Sequence, residues 1–394
     1  MLDNITVIIF TYKRYPYLRR LLRFYNSYHL QCKFLVLDST PDHPKDLELQ
    51  ELLSMDNVQW ERYDPDIFFV DKIANGCNFV NSKYAVLCAD DDFIIPEAIS
   101  DCISFLENNM DFSSTHGLYF NHSSHQQAKR SRFSIGPLYH KGRSASEKTA
   151  GERVNAYLSG QTSYYPFYAV QKTATFHTIW RETEKFVSDW GFSELFPCSL
   201  SLILGKMKVL PIFYASREPN TFEWHNEGRH RSMYTAEKIE QAAAGLAKHL
   251  SETDDLLFED AERFVQEAIE TYLSRKTKKS EMMGEKSKST GEKSIFLNSE
   301  KNDNEKKESN DFIINDHSFV IKLKHFLRPR TRLNLLVEKF MKIQNKDIPI
   351  GCHPSIYPKY KDDFQKVKTA VLSAALTSKD LNEARRDFET QGKV

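Results

Sequence analysis

The chain has no paired-cysteine motif, no long apolar run and no excess of charge of either sign. Its six cysteines, Cys32, Cys77, Cys88, Cys102, Cys198 and Cys352, are scattered without a CxxC pair. Several sit in apolar stretches, where a reduced thiol packs as a small hydrophobe, so a cytoplasmic, reducing setting is expected. No segment reaches the roughly 18 uninterrupted apolar residues that a transmembrane helix needs, so any work at a membrane is expected at its surface. Met1 to Ile5 enters a strand-like run with no basic stretch before it, which argues against a secretory signal. Lys and Arg together number 54, and so do Asp and Glu. A balanced chain has no global field for nucleic acid, and any charge argument must be local. No internal repeat is present.

What is there is alternation. Ile5–Phe10 is apolar and β-branched on consecutive positions, as in a strand buried on both faces, and Tyr17–Tyr28 follows with helical spacing of Leu18, Leu21, Leu22 and Tyr25. Strands over 34–37, 58–63 and 84–89 and helices over 47–53 and 67–81 continue the pattern. Strand and helix repeat about every 25 residues, which predicts an α/β fold with a mostly parallel sheet. Residues 117–168, rich in Ser, His, Gly and basic residues, read as an excursion over the sheet containing a helix over 147–158 and a strand over 167–171. A helix over 190–206, a strand over 209–215 and helices over 235–250 and 257–273 follow. The predicted division is a main domain over 1–250, a helical extension over 251–274, a polar flexible linker over 275–311 and a small basic amphipathic region over 312–394. Within the last, residues 317–343 admit three readings: a core-packing helix, an oligomer contact, or a helix lying on a membrane surface.

In parallel α/β sheets, ligands bind at the carboxyl ends of the strands. Three polar clusters fall there: Thr11-Tyr12-Lys13-Arg14, Asp38-Ser39-Thr40 and Asp90-Asp91-Asp92. If the strand runs on through the acidic triplet, period-2 alternation puts Asp90 and Asp92 on one side and Asp91 on the other. Two carboxylates on one side repel unless a hard divalent cation, completed by phosphate oxygens, sits between them. The plainer alternative is a solvated turn before a helix that starts at Pro96. Ending a buried strand favours the metal and diphosphate site. His116, His122, His125 and His140 are too irregularly spaced for zinc. Trp180, Trp190, Tyr164 and Tyr165 read equally as sugar-stacking or core residues.

The segments Val7-Ile8-Ile9-Phe10-Thr11-Tyr12-Lys13-Arg14, Phe34-Leu35-Val36-Leu37-Asp38-Ser39 and Tyr84 to Asp92 with Pro96, in that order and spacing, resemble the family 2 glycosyltransferases. That family has the GT-A fold, a Rossmann-like, mostly parallel sheet flanked by helices, and the resemblance covers roughly residues 5–225. It implies a nucleotide-diphosphate sugar donor, a glycan or lipid-linked acceptor, and a Mg²⁺ or Mn²⁺ ion. Carried onto this sequence, Thr11, Tyr12, Arg14 and Asp38 become donor-binding candidates, joined by Lys72 and Asn75 on the preceding helix and by Asp91. Asp90 and Asp92 become the metal pair. Glu194 becomes the base for an inverting transfer, with Asp189 as its substitute. His225 becomes a further metal ligand, and Arg229 or Arg231 a phosphate contact. Position 39 is Ser where many relatives carry a second Asp, Ser193-Glu194 replaces the usual Glu-Asp, and QxxRW is absent. Products of such families are commonly bacterial surface polysaccharides of capsule or O-antigen type, which places the enzyme in the cytoplasm or on the inner face of the membrane. Two rivals remain: a nucleotidyltransferase acting on sugar phosphates, which would normally carry a Gly-rich loop where Thr11–Tyr17 has no glycine, and a non-catalytic sugar-nucleotide binding protein.

Overall fold

The structure is a computed structural model, and it describes residues 2–127, 130–137, 143–160, 165–218, 234–291 and 358–373. Residues 1–269 with 347–394 form one compact unit and residues 270–346 a second. The site lies in the first.

The expected alternation forms the first half of a nine-stranded sheet. β1 (Ile5–Thr11) is parallel to β2 (Lys33–Asp38), β2 to β3 (Val58–Arg62), and β1 also to β4 (Tyr84–Ala89). Side chains of β1 and β4 are buried on both faces, as near-continuous apolar strands require. Beyond β4 the sheet is mixed. A short β8 (Val170–Lys172) runs antiparallel between β4 and β6 (Phe112–Gln127), and β6 is parallel to β9 (Lys206–Arg217). β5 (Phe93–Ile94) closes the order on the far side of β9, and β7 (Arg130–Pro137) hairpins onto β6. The mostly parallel sheet expected from the sequence therefore holds only for its first half.

The largest departure is β6. Its stretch Phe112-Ser-Ser-Thr-His-Gly reads as loop by composition, yet Ser113, Ser114, Thr115 and His116 are buried in the middle of the sheet. Two of the hydroxyls and one ring nitrogen bond to backbone there, whereas the buried Ser114 hydroxyl finds no partner. Thr115 Oγ1 donates to the Lys208 carbonyl at 2.9 Å, Ser113 Oγ to that of Lys206 at 3.4 Å, and His116 Nδ1 lies 2.7 Å from the Gly117 carbonyl oxygen. The register between β6 and β9 slips next to Gly117. A Cβ at Gly117 would stand 2.6 Å from Ile212 Cγ1 and 2.8 Å from the Ile212 carbonyl oxygen, so only glycine lets the two backbones approach so closely.

Two groups of helices pack with the sheet. One is α1 (Tyr15–Asn26), α2 (Leu47–Leu53) and the carboxyl-terminal helix, and the other α3 (Phe69–Gly76), α5 (Ala150–Leu158), α6 (Thr173–Phe186), α7 (Leu195–Leu204) and α8 (Ala236–Asp254). α4 (Pro96–Asn108) lies against β6. α7 is buried almost all round, which fits its apolar sequence. α9 (Phe258–Gly291) runs on through the start of the stretch expected to be linker, because Lys, Glu and Met are good helix formers even where no apolar stripe exists. α10 (Lys361–Ser373) packs on α1 and belongs to the first unit, so 312–394 is not a region by itself. Tyr28 donates to Asp363 Oδ1 at 2.8 Å, and Lys366 Nζ sits 3.6 Å over the Tyr28 ring. Residues 317–343 lie outside the described residues. Among those described, no helix is long and apolar enough to cross a membrane.

Two consequences can be measured. Gly117→Ala forces its methyl into Ile212 and is expected to lower the unfolding free energy by about 1–3 kcal/mol in urea denaturation. His116 is fully buried, and burial pushes its pKa from 6.5 down to about 4. The unfolded chain binds a proton in that window that the fold does not, so stability rises with pH between about 4 and 6.5. Wild type should therefore gain on the His116→Phe variant by about 2–3 kcal/mol between pH 4.5 and pH 7.

Candidate active site

Register alone brings three strand tips together. Thr11 of β1 is paired with Asp38 of β2, and Phe10 with Ala89 of β4. The acidic triplet follows Ala89 directly. β4 ends at Ala89, and Asp90-Asp91 form a turn closed by the Asp92 amide donating to the Ala89 carbonyl at 3.2 Å. Strand alternation therefore does not extend into the triplet, and Asp90 and Asp92 do not share a side as expected. Asp90 and Asp91 turn to one guanidinium: Arg14 lies 3.2 Å from Asp90 Oδ1 and donates to Asp91 Oδ2 at 2.6 Å. Asp92 turns to another, accepting from Arg217 Nε at 2.7 Å and from the Glu218 amide at 3.1 Å. Thr11 Oγ1 donates to Asp90 Oδ2 at 2.7 Å.

All three carboxylates are buried. Burial pushes the Asp90 carboxyl up to about 6, with Arg14 pulling it down and Asp91 adding to the rise. Burial likewise pushes Asp92 up to about 7 against the pull of Arg217, with Asp91 again adding to the rise. In both groups removal from water outweighs the attraction of the guanidinium partner.

Arg20, 2 % exposed, braces the turn from behind, donating to the Asp91 carbonyl at 3.0 Å and pairing with Glu218 at 2.7 Å. Burial alone would raise Glu218, but hydrogen bonding with His122 and the charge of Arg20 bring its pKa down to about 2. His122 is in turn held through Nδ1, 3.0 Å from Ser216 Oγ.

The other expected donor-binding residues fall into two groups. Lys72 reaches the cluster, but its Nζ donates inward to the Thr11 carbonyl at 3.0 Å and to Ser39 Oγ at 2.9 Å, stitching the β1 and β2 tips. Burial lowers its pKa to about 8, against the attraction of Asp38 and Asp90. Asp38 is also turned inward: Oδ1 accepts from the Thr40 amide, and Oδ2 from Tyr15, Trp60 and Arg62 at 3.0, 3.2 and 2.8 Å. Both therefore organise the strand tips in this conformation. Tyr12 and Lys13 stand half-exposed at the rim with Lys13 over the Tyr12 ring, and Lys13 takes a left-handed φ of 52° as its amide donates to Thr40 Oγ1. Asn75 does not join them; it is exposed and spends its amide on the Asp71 carbonyl.

Glu194 is the N-cap residue of α7 and is exposed, and its side chain makes no capping bond. Ser193, the residue before it, donates through its hydroxyl to the Trp190 carbonyl at 3.0 Å. The Glu194 carboxylate accepts from the Tyr165 hydroxyl at 2.5 Å, and the Tyr165 ring lies 5.2 Å from the Arg217 guanidinium that holds Asp92. Glu194 is thereby linked to the triplet through two side chains. Asp189 is committed elsewhere, to the Gly191 amide at 2.7 Å and to Lys238 of α8. Trp180 is core, whereas Trp190 is 44 % exposed and stacks on Phe69. His225, Arg229 and Arg231 lie outside the described residues.

Sequence reasoning missed Arg20, Arg62, Arg217 and Glu218, and weighed Tyr165 only as a sugar-stacking or core residue. Arg217-Glu218 had a signal: a charged pair ending the apolar β9 is the same strand-end pattern that singled out the triplet. Arg20 and Arg62 had none, because each looks like a solvated charge until the neighbouring strand or turn is placed beside it.

No protein-family model matches the chain, and no curated protein matches it. Among solved structures it is similar to S. aureus TarS, with TM-score 0.44, 14% identity, and coverage of 69% of this chain and 44% of that one. The chain thus spans less than half of that TarS chain. Similarity to TarS 1-349 in complex with UDP has TM-score 0.44 and 13% identity over 69% of this chain and 72% of that one. For TarS 1-349 in complex with UDP-GlcNAc the values are 0.44, 14%, 69% and 73%.

Removing Arg14 tests the electrostatics. Arg14→Met leaves two buried carboxylates without their main partner and is expected to destabilise by about 3–5 kcal/mol at pH 7. The loss should shrink at pH 5, where Asp90 takes up a proton. A chemical denaturation series at both pH values reads the difference.

Proposed function

We propose that this protein is a metal-dependent glycosyltransferase of the family 2, GT-A type, which moves a sugar from a nucleotide-diphosphate sugar to an acceptor hydroxyl with inversion. The observation that carries the reading is the buried Asp90-Asp91-Asp92 turn at the carboxyl end of a central parallel strand, linked through Arg217 and Tyr165 to the exposed carboxylate of Glu194.

A divalent cation fits the residues present. The donors are hard carboxylate oxygens, the ligand type such an ion prefers. Among the described residues no group of three or more His, Cys, Asp or Glu side chains is placed to hold a metal ion; an ion such as Mg²⁺ takes one or two protein carboxylates and completes its shell with substrate phosphate and water. Asp90 and Asp92 would hold Mg²⁺ or Mn²⁺, and the ion would supply Lewis-acid stabilisation of the departing diphosphate. Arg217, which holds Asp92, stands at the same edge of the site, and its guanidinium would offer its charge to phosphate oxygens. Glu194 accepts the acceptor's hydroxyl proton; the acceptor oxygen forms the new bond to the anomeric carbon as the bond from that carbon to the diphosphate oxygen breaks, and the electron pair leaves with the nucleoside diphosphate. Its exposure suits an incoming acceptor, glycan or lipid-linked. A cytoplasmic enzyme making surface glycans, working at the inner membrane face, is the setting this chemistry suits.

The test is thermal stabilisation by a panel of nucleotide sugars, UDP-GlcNAc among them, with Mg²⁺ or Mn²⁺. At 100 times its Kd a true donor adds about 2.7 kcal/mol. Asp92→Asn should lose the response, while Glu194→Gln should keep it and lose turnover by about 10²–10⁴-fold. A panel in which no donor stabilises, or an Asp92→Asn protein that responds like wild type, would sink the reading.

A further inference from the structure

We infer that Tyr165 is a positioning residue for the transfer, holding the Glu194 carboxylate and the Arg217 guanidinium in one fixed arrangement. The inference rests on Glu194 being the base. An exposed glutamate ordinarily samples several rotamers, and fixing such a side chain costs conformational entropy. Glu194 makes no capping bond to its own helix. What orients its carboxylate is the 2.5 Å hydrogen bond from Tyr165 to Oε2, which leaves Oε1 to face an acceptor hydroxyl.

Tyr165 is itself well held. It precedes Pro166 and the helical turn Pro166–Tyr168, and its ring packs against Phe167 and Tyr168 with centroids 6.1 and 5.7 Å apart. Arg217 lies 5.2 Å from the Tyr165 ring and 4.9 Å from that of Tyr168, while its Nε donates to Asp92. One aromatic side chain therefore touches the proton-accepting side of the site with its hydroxyl and the diphosphate side with its face. The two ends do separable work: the hydroxyl aims the base, and the ring supports the guanidinium.

The separation defines the experiment. Nucleoside diphosphate release is measured in the full-length protein with Mn²⁺ and the nucleotide sugar that stabilises it best, for wild type, Tyr165→Phe, Tyr165→Ala, Glu194→Gln and the Tyr165→Phe/Glu194→Gln double variant. Tyr165→Phe keeps the ring and is expected to lower kcat by roughly tenfold with donor KM unchanged, the signature of a misaimed base. Tyr165→Ala should lower kcat and also raise donor KM. The double variant should be no slower than Glu194→Gln alone, because the hydroxyl acts only through that carboxylate. If wild type turns over donor and Tyr165→Phe matches its kcat, or if the losses of the double variant add, the positioning role is wrong and the glycosyltransferase reading stands. If the folded wild type neither binds nor consumes any nucleotide sugar, the reading itself falls and takes this role with it.

Discussion

Burying three consecutive carboxylates is the constraint on which the rest of this structure depends. Each would cost several kcal/mol to desolvate unpaired, so the chain must deliver cations to one turn from distant segments. Arg14 arrives from the loop before α1, Arg20 from one turn further along that helix, and Arg217 from the end of β9. The fold around the turn can be understood as the means of bringing those three guanidinium groups there. α1 must start where β1 stops, and β9 must end opposite β5, whose two residues follow the triplet directly and pair with Ala215 and Ser216.

The same demand explains the division of labour among the polar residues. Those that look inward, Asp38, Lys72 and Arg62, set the shape of the strand tips and are saturated by it: Lys72 with two internal acceptors, and Arg62 with Asp38 and the Thr40 carbonyl. Those that look outward, Glu194 at the tip of α7 and Tyr12 at the rim, carry no comparable structural duty.

β1, β2 and β4 were legible because parallel strands buried on both faces write themselves as unbroken apolar runs, and helix α2 and strand β4 fall where periodicity puts them. β6 was not, because its Ser113 and Thr115 hydroxyls satisfy themselves on the backbone of β9, a partner 93 residues away that local composition does not register. The triplet was legible as a polar cluster at the end of a buried strand and misread in geometry: its side chains follow a turn, and a turn has no period of two. The link from Glu194 to Asp92 runs through residues 165 and 217, which nothing local in the sequence connects. Tyr165 is legible as an aromatic residue, but its reach to both is a product of tertiary packing.

The carboxyl-terminal helix gives the chain an unusual thread. Because α10 returns to lie on α1, residues 270–346 fall in sequence between two stretches of the same unit. Tyr28 and Asp363, 335 residues apart, are joined by one hydrogen bond. The first unit can therefore complete its packing only after the ribosome has passed residue 363, although its sheet is encoded well before that point.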